Sequence, residues 1–186
     1  MLIYVSDHAC HFCTRNSAYK RSCHAGSTHV PLVIHGPGFD TGERLDQMVS
    51  LMDLPVTLLD CAGIDRPDDW QGHSLKKLAA GETEGWPEEV FMQISESQIG
   101  RAIRTKEWTY SVRSEHFTFF DSRDADVYYE DFLYDLKKDP HELNNLAGDP
   151  ASADVRAELA VRLKKWMRIA GESEPEILPF EQRPCP

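Results

Sequence analysis

Two short apolar runs decide the fold: Met1-Leu-Ile-Tyr-Val5, and Val30-Pro-Leu-Val-Ile34 followed by His35-Gly-Pro-Gly38. Both runs are rich in β-branched residues, and the first is continuous in the manner of a strand buried on both faces. The intervening residues 6–29 are polar and show no sustained period, whereas the Gly-Pro-Gly sequence is a turn signal. The pattern therefore predicts two strands of a sheet joined by a long polar loop.

A short helix is predicted over residues 49–62. Asp53 suits its N-cap, Pro55 its first turn, and Gly63 lies just beyond its end. From residue 65 to residue 89 the composition shifts to Pro, Gly, Trp and charge, which is typical of an irregular crossing between subdomains. A boundary is expected near Gly85.

The C-terminal half combines short strands with one amphipathic helix. Runs of β-rich residues separated by turn residues predict a small antiparallel sheet over residues 90–94, 101–104, 108–112 and 132–136. The helix that follows has Asp149 as its cap, Pro150 in its first position and Gly171 at its end. Its apolar stripe, which is expected to pack on the small sheet, consists of Val155, Leu159, Leu163, Trp166 and Ala170.

Composition and charge narrow the classes of partner. The formal net charge of −11 would repel nucleic acid and anionic membrane surfaces, because phosphate binding needs clustered Lys and Arg. The longest apolar runs fall far short of the roughly 20 residues that span a bilayer. No basic segment with an apolar run and a cleavage site opens the sequence. We therefore expect no nucleic-acid partner, no membrane partner and a cytoplasmic location.

The cysteine content also favours a cytoplasmic location, and it permits a structural zinc site as an alternative. The sequence has five, an odd number, so a secreted disulfide framework is not the natural interpretation. Three of them fall in the polar loop, where short spacing to histidines also permits a structural zinc site. That site would draw on His8, Cys10, His11, Cys13, Cys23 and His24.

The residues that directly follow the first strand are candidates for chemistry. Ser6-Asp7-His8 stands at the carboxyl end of this strand, and ligands collect at that end of open α/β sheets. Asp7 and His8 are natural metal ligands there, although a polar pair after a strand also commonly caps a turn.

The order and spacing of several short motifs resemble the sulfatase family over residues 1–167. The first is Val5-Ser6-Asp7-His8, followed by Lys20 ten residues before Val30-Pro31-Leu32-Val33-Ile34. The later ones are Val49-Ser50-Leu51-Met52-Asp53-Leu54-Pro55, Gln71-Gly72-His73-Ser74-Leu75, Arg101-Ala102-Ile103-Arg104, Leu133-Tyr134-Asp135-Leu136, Asp139-Pro140 with Glu142, and Asn144-Asn145-Leu146-Ala147.

This resemblance implies a fold and a domain layout. The fold would be α/β: the C-terminal part of an alkaline-phosphatase-like α/β sheet domain, followed by a small antiparallel sheet packed by a C-terminal helix. Residues 1–85 would belong to the sheet domain and residues 86–171 to the C-terminal subdomain. Residues 172–186 would form a tail.

The resemblance also implies a site and a reaction, sulfuric ester hydrolysis. Asp7 and His8 would ligate a divalent cation, most naturally Ca²⁺, with Mn²⁺ or Zn²⁺ also compatible with imidazole. Lys20 would set its ammonium group against the sulfate oxygens of a small sulfate ester. His24, which lies one helical turn from Lys20 if this segment is helical, could touch the leaving group.

Two departures from the family bear on activity. Ala9 stands where the family usually has Gly, which disfavours a positive φ. Sulfatases convert the Cys or Ser of a Cys/Ser-x-Pro-x-Arg motif into the nucleophile formylglycine, and these 186 residues contain neither that motif nor the family's early Asp pair. The isolated chain is therefore predicted to be inactive.

Other functions stay open on this sequence. A phosphodiesterase or phosphonate hydrolase of the same superfamily would share the Asp7-His8 segment. A non-catalytic binding module would keep the fold without the reaction. Choline, aryl and sugar sulfates are equal candidates for the substrate.

Overall fold

The computed structural model describes residues 1–96, 98–115 and 123–181. The chain divides into two compact units. The first unit consists of residues 1–7 and 30–90, and the second of residues 8–29 and 91–186. The polar loop predicted between the first two strands therefore belongs to the second unit.

The first unit carries a two-stranded antiparallel sheet. Strand β1 (Leu2–Val5) pairs with strand β2 (Leu32–His35), so that Leu2 faces His35 and Val5 faces Leu32. The burial expected for β1 is wrong. Leu2 is 60% exposed and Tyr4 63% exposed. Strands β1 and β2 form a sheet by themselves, and no third strand of the described chain pairs with them.

Two short helices complete the first unit. Helix α2 (Asp53–Cys61) has the predicted Gly63 past its end in the left-handed conformation, at φ 68°. Asp53 is its first residue, and its carboxylate accepts hydrogen bonds from the backbone N–H groups of Ser50 and His73, both at 2.8 Å. Helix α3 (Leu75–Ala79) lies within residues 65–89, which were predicted to be irregular throughout. It is tied to α2 because Leu75 N–H donates to Thr57 Oγ1 at 2.9 Å.

A five-stranded sheet organises the second unit, which also holds the short helix α1 (Ala25–Thr28). Its strands, in spatial order, are β3 (Glu89–Ser95), β4 (Ile99–Thr105), β5 (Trp108–Ser114), β6 (Val127–Asp135) and β7 (Glu176–Leu178). Strands β4, β5 and β6 are antiparallel, as predicted. Strand β7 was not predicted; it lies within the segment expected to be a tail and pairs in parallel with β6.

Helix α4 (Ala153–Ile169) packs on this sheet, as its sequence predicts. Asp149 caps a single 3₁₀ turn, Pro150–Ser152, that leads into the helix, and its side chain accepts a hydrogen bond from Ala151 N–H at 2.9 Å. Of the predicted apolar stripe, Leu159 and Leu163 are fully buried, Val155 and Trp166 are partly buried, and Ala170 is exposed. Met167, which was not in the predicted stripe, is also fully buried. The helix residues Leu159, Leu163 and Met167 pack against core residues of the sheet, which include Ile99, Ile103, Tyr110, Val112, Tyr128 and Leu133.

A buried ion pair connects the segment after α4 to the sheet. Arg101 is 1% exposed, and its Nε donates to Glu172 Oε1 at 2.6 Å. Its Nη1 donates to the carbonyl oxygens of Ile94 and Gly100 at 3.0 and 2.8 Å. The planar guanidinium suits this arrangement, because its five donors in a fixed fork reach the carboxylate and both carbonyls at once.

The observed architecture confirms the predicted fold class: a mixed α/β chain with a small antiparallel sheet that is packed by a C-terminal helix. Among the described residues, no helix combines the length and the apolar character that crossing a membrane requires.

Candidate functional site

Asp7 and His8 lie just after strand β1, at the start of the polar loop of residues 6–29. Asp7 is exposed and is the last residue of the first unit's opening segment, whereas His8 is half-buried and opens the loop of the second unit. His8 Nδ1 lies 2.8 Å from the carbonyl oxygen of Ala9, which can only accept, so Nδ1 is the donor. In the neutral tautomer the lone pair is then on Nε2, the atom through which an imidazole held in this way binds a metal.

The backbone at Ala9 agrees with the expectation that this residue disfavours a positive φ. Ala9 does not adopt a positive φ, and its N–H donates to Ser27 O at 2.8 Å. The left-handed residues of the loop are instead Phe12 at φ 52° and Cys13 at φ 57°.

Tyr19 contacts two of the predicted site residues. Its ring centroid lies 5.7 Å from that of His8, with the two planes tilted by 59°. Lys20 Nζ lies 5.7 Å from the same Tyr19 centroid, within the range of a cation–π contact. An imidazole and an ammonium group that are distant in sequence thus share one aromatic neighbour.

His24 is placed differently from Lys20. It is 8% exposed, its Nδ1 lies 3.0 Å from Ser22 Oγ, and its Nε2 lies 3.2 Å from Tyr134 Oη. Burial, with smaller contributions from the positive charges of Arg15 and His11, lowers the pKa of His24 from 6.5 to about 3. Residues 20–24 are not helical, so the helical spacing expected between Lys20 and His24 is wrong; His24 is the residue that precedes α1.

The buried carboxylate of Glu142 fixes the loop to the sheet. Its Oε2 accepts from the N–H of Ala25 at 2.8 Å, and its Oε1 accepts from Arg104 Nη1 at 2.5 Å and from Thr109 Oγ1 at 3.1 Å. Its own carbonyl oxygen accepts from Arg15 Nη1 at 2.5 Å. Sequence patterns predicted no role for Glu142 beyond membership of a motif, because its loop partners are more than one hundred residues away in the chain.

A cavity of about 280 Å³ lies within the second unit. His24, Phe132 and Tyr134 form an aromatic part of its wall, and the Phe132 centroid lies 4.2 Å from that of His24 and 5.2 Å from that of Tyr134. Arg113 and Asp131 contribute a charged pair, with Nε and Oδ1 3.8 Å apart. The cavity thus combines aromatic faces with polar groups.

The thiols of the loop do not converge on a metal site. Cys10, Cys13 and Cys23 are free, and burial raises the pKa of the Cys23 thiol to about 12. Across residues 1–96, 98–115 and 123–181, no three His, Cys, Asp or Glu side chains are grouped so that they could hold a metal ion. The zinc alternative therefore gains no support from this part of the chain. Cys185 lies outside the described residues.

Comparison with known proteins identifies relatives of this architecture. The family model of the N-sulphoglucosamine sulphohydrolase C-terminal region matches residues 17–168. Human arylsulfatase K is 31% identical over 157 residues, which cover 79% of this chain and 27% of the relative. The chain thus spans about a quarter of the length of the curated relatives that it matches.

Solved structures agree with the sequence relatives. A 2-O GAG sulfatase superposes with a TM-score of 0.71 at 26% identity, covering 90% of this chain and 36% of that one. The phosphonate monoester hydrolase of Agrobacterium radiobacter superposes with a TM-score of 0.68 at 28% identity, covering 91% and 34%. The chain belongs to the N-sulphoglucosamine sulphohydrolase C-terminal family and corresponds to a C-terminal portion of the sulfatases.

Proposed function

We propose that this chain supplies part of the active site of a metal-dependent sulfuric ester hydrolase that acts on a small sulfate ester. Asp7 and His8 hold a divalent cation in this proposal, and Lys20 contacts the sulfate group. The proposal rests on the contact of both His8 and Lys20 with the ring of Tyr19. The His8 ring centroid and Lys20 Nζ each lie 5.7 Å from the Tyr19 ring centroid. Membership of a sulfatase family supplies the reaction class.

The donor set fits a divalent cation as two of its ligands. One carboxylate and one imidazole suit Mn²⁺ or Zn²⁺ as well as Ca²⁺, but calcium takes about six to eight oxygen ligands. The described residues contain no third His, Cys, Asp or Glu grouped with such a pair. Most of the coordination would therefore come from water or from other protein groups. When bound, the cation would polarise a sulfate oxygen.

Lys20 provides positive charge for the sulfate group. Its side chain is half-buried, and its Nζ lies 5.7 Å from the centroid of the neighbouring Tyr19 ring. An ammonium held in place stabilises the negative charge that builds as the ester S–O bond breaks. His24 would reach a leaving group only by giving up a hydrogen bond to Ser22 or Tyr134. We therefore assign His24 to the wall of the cavity.

The isolated chain should not turn over substrate, because its 186 residues lack a Cys/Ser-x-Pro-x-Arg nucleophile. The test is an assay of the purified chain on an aryl sulfate with Ca²⁺ or Mn²⁺ present. We expect no hydrolysis above the buffer rate. Metal-dependent turnover well above that rate would contradict the proposal, since a nucleophile would then exist among these residues.

The proposed ligands are tested by a paramagnetic titration. Mn²⁺ added to ¹⁵N-labelled chain should selectively broaden the amide signals around Asp7 and His8. Asp7→Asn and His8→Ala should each remove this broadening, because each removes one of two protein ligands. Asp40→Asn, which changes another exposed carboxylate, is the matched control and should retain it. Equal broadening in all four proteins would rule out these ligands.

A phosphonate hydrolase is the second candidate, because the Agrobacterium radiobacter enzyme is 28% identical and shares the fold. If in-frame coding sequence upstream completes the protein, the two candidates predict different substrate preferences for it. The discriminating measurement is kcat/KM on p-nitrophenyl sulfate against p-nitrophenyl phenylphosphonate. A preference for the sulfate supports the first candidate, and a preference for the phosphonate supports the second. An in-frame Cys/Ser-x-Pro-x-Arg motif upstream would supply the nucleophile.

A further inference from the structure

Two cysteines lie at a tight turn within the polar loop. Cys10 and Cys13 have the Cys-x-x-Cys spacing and are both free; Cys13 is exposed and Cys10 is half-buried. We propose that these two thiols are a redox-active pair, which a small-molecule disulfide such as glutathione disulfide converts into a disulfide within the loop. The proposed hydrolysis uses neither thiol, so the pair is a separate chemical property of this chain.

The backbone confines the two thiols to one turn. Phe12 and Cys13 are left-handed, and Thr14 N–H donates to the carbonyl oxygen of His11 at 3.0 Å. Two consecutive left-handed residues closed by such a hydrogen bond are typical of a type I′ turn, which reverses the chain. Three peptide links separate Cys10 from Cys13, so this reversal keeps their Cα atoms inside the roughly 10 Å span of an extended chain. A disulfide needs Cα atoms about 4.4–6.8 Å apart, which such a turn can reach.

The sulfur of Cys10 is directed along the turn toward Cys13. Cys10 Sγ accepts a hydrogen bond of 3.3 Å from the N–H of Phe12, the residue that directly precedes Cys13. Cys13 Sγ donates to the carbonyl oxygen of Ser17 at 3.7 Å, a long contact from a weak donor. Rotation of the Cys13 side chain toward Cys10 therefore gives up only this weak contact.

The base of the turn is anchored, whereas its outer side is open. Ala9 N–H donates to a backbone carbonyl oxygen of the loop at 2.8 Å, and His11 N–H donates to the carbonyl oxygen of Tyr19 at 2.8 Å. Phe12, between the two cysteines, is 81% exposed. A small disulfide can therefore approach the exposed Cys13 without unfolding of the loop.

The other described cysteines lack this combination of access and a neighbouring thiol. Cys23 is 2% exposed, and burial raises the pKa of its thiol to about 12, so it stays protonated and shielded at neutral pH. Cys61 belongs to helix α2 of the first unit and has no cysteine near it in sequence. Among the described residues, we therefore expect oxidation to be selective for Cys10 and Cys13.

Two exchange steps form the disulfide. Cys13, after losing its proton to solvent, attacks one sulfur of glutathione disulfide; a protein–glutathione S–S bond forms, and the first glutathione leaves as a thiolate that takes up a proton. Cys10 then loses its proton to solvent and attacks the Cys13 sulfur, which forms the Cys10–Cys13 bond and releases the second glutathione in the same way. The protein loses two electrons and two protons, and glutathione disulfide gains both.

The test begins with the full folded chain in mixtures of glutathione disulfide and glutathione, after which N-ethylmaleimide blocks the remaining thiols. Trypsin cuts after Arg15, so Cys10 and Cys13 share the peptide of residues 1–15, and every other cysteine falls on a different peptide. We expect this peptide to carry no maleimide and to be lighter than its reduced form by two hydrogen atoms. Dithiothreitol added before the block should restore two maleimide groups.

Matched variants separate the loop disulfide from other thiol chemistry. Cys10→Ser and Cys13→Ser should each abolish it and leave one thiol as a maleimide or glutathione adduct, whereas Cys61→Ser should retain it. The proposal is overturned if peptide 1–15 keeps both maleimide groups at every ratio of glutathione disulfide to glutathione. Glutathione adducts alone, or a disulfide to another peptide, would also overturn it.

The contribution of the turn is measured against the unfolded chain. Half-oxidation should occur at a lower ratio of glutathione disulfide to glutathione in the folded chain than in urea, because the turn already holds the two thiols in one short segment. An equal or higher ratio for the folded chain would overturn the assignment of the pair to this turn, since the spacing alone would then account for the disulfide.

A consequence for the proposed metal ligands rests on the proposed function. Cys10 lies two residues after His8, so the disulfide alters the backbone next to that ligand. The Mn²⁺ concentration that broadens the amide signals around His8 should therefore differ between the oxidised and reduced chains, and in Cys13→Ser it should not respond to the oxidant. Absence of broadening in both forms would contradict the proposed function but not the disulfide, which the mass of peptide 1–15 reports independently. Equal broadening in both forms would overturn the link between them.

Discussion

Glu142 Oε2 accepts a hydrogen bond of 2.8 Å from the backbone N–H of Ala25, and this contact joins the polar loop to the sheet of the second unit. The other carboxylate oxygen of Glu142 is held by Arg104 and Thr109, which lie on β4 and β5. Glu142 itself has a left-handed backbone, at φ 57°, which is uncommon outside Gly, Asn and Asp. One buried side chain therefore positions the loop that carries His8 and Lys20.

Replacing Glu142 should destabilise the second unit strongly. Glu142→Gln keeps the size of the side chain but leaves the partly buried Arg104 guanidinium without its counter-ion. Breaking a buried pair in this way costs about 3–5 kcal/mol. Urea unfolding, followed by circular dichroism, should show a midpoint well below that of the unmodified chain.

An exposed glutamate provides the control for this substitution. Glu158→Gln disrupts a surface pair with Arg162 at 3.3 Å on α4 and should change the free energy of unfolding by less than about 1 kcal/mol. Similar losses for both variants would show that the buried network around Glu142 has no special importance.

The buried His24 should make the chain less stable as the pH falls. Its pKa is lowered from 6.5 to about 3 in the folded state, so the unfolded chain takes up the proton first. The free energy of unfolding should therefore decrease between about pH 6.5 and pH 3, at a limiting slope of about 1.4 kcal/mol per pH unit. Above pH 6.5 His24 is neutral in both states and contributes no pH dependence.

The contribution of His24 is isolated by comparing variants. His24→Gln removes the titrating group, so its unfolding free energy should decrease less steeply over this pH range. His35→Gln removes an exposed imidazole and should retain the slope of the unmodified chain. Parallel pH profiles for all three proteins would contradict the placement of His24 in a desolvated wall.

Gly72 should tolerate no side chain in the first unit. A Cβ at this position would lie 2.1 Å from the carbonyl oxygen of Met52 and 2.8 Å from its carbonyl carbon, which is backbone and cannot move aside cheaply. Gly72→Ala should therefore cost about 1–3 kcal/mol by overpacking. Thermal unfolding measures the effect.

A second glycine gives the comparison. At Gly100 the nearest atom to an added Cβ is 3.7 Å away, an ordinary contact. Gly100→Ala should leave the melting temperature unchanged or raise it slightly, because it reduces the freedom of the unfolded chain. A Gly72→Ala protein as stable as the Gly100→Ala protein would refute the close approach to Met52.

Local pattern was sufficient for most of the secondary structure. The strands β4 and β5 and the helix α4 were predictable because alternation, apolar periodicity and the end signals at Asp149 and Gly171 act over a few residues. Strand β7 was missed because three residues give no period; its pairing with β6, like the Arg101–Glu172 ion pair beside it, becomes visible only in the folded chain.

The sequence by itself determined the family, the fold class and the identity of the candidate groups Asp7, His8 and Lys20, because ordered motifs and residue chemistry are local properties. Only the tertiary structure decided that Tyr19 contacts both His8 and Lys20, that His24 is buried and neutral, and that Glu142 holds the loop. Burial and long-range hydrogen bonds depend on which distant residues meet, and desolvation changes the chemistry of a side chain whose sequence neighbours give no sign of it.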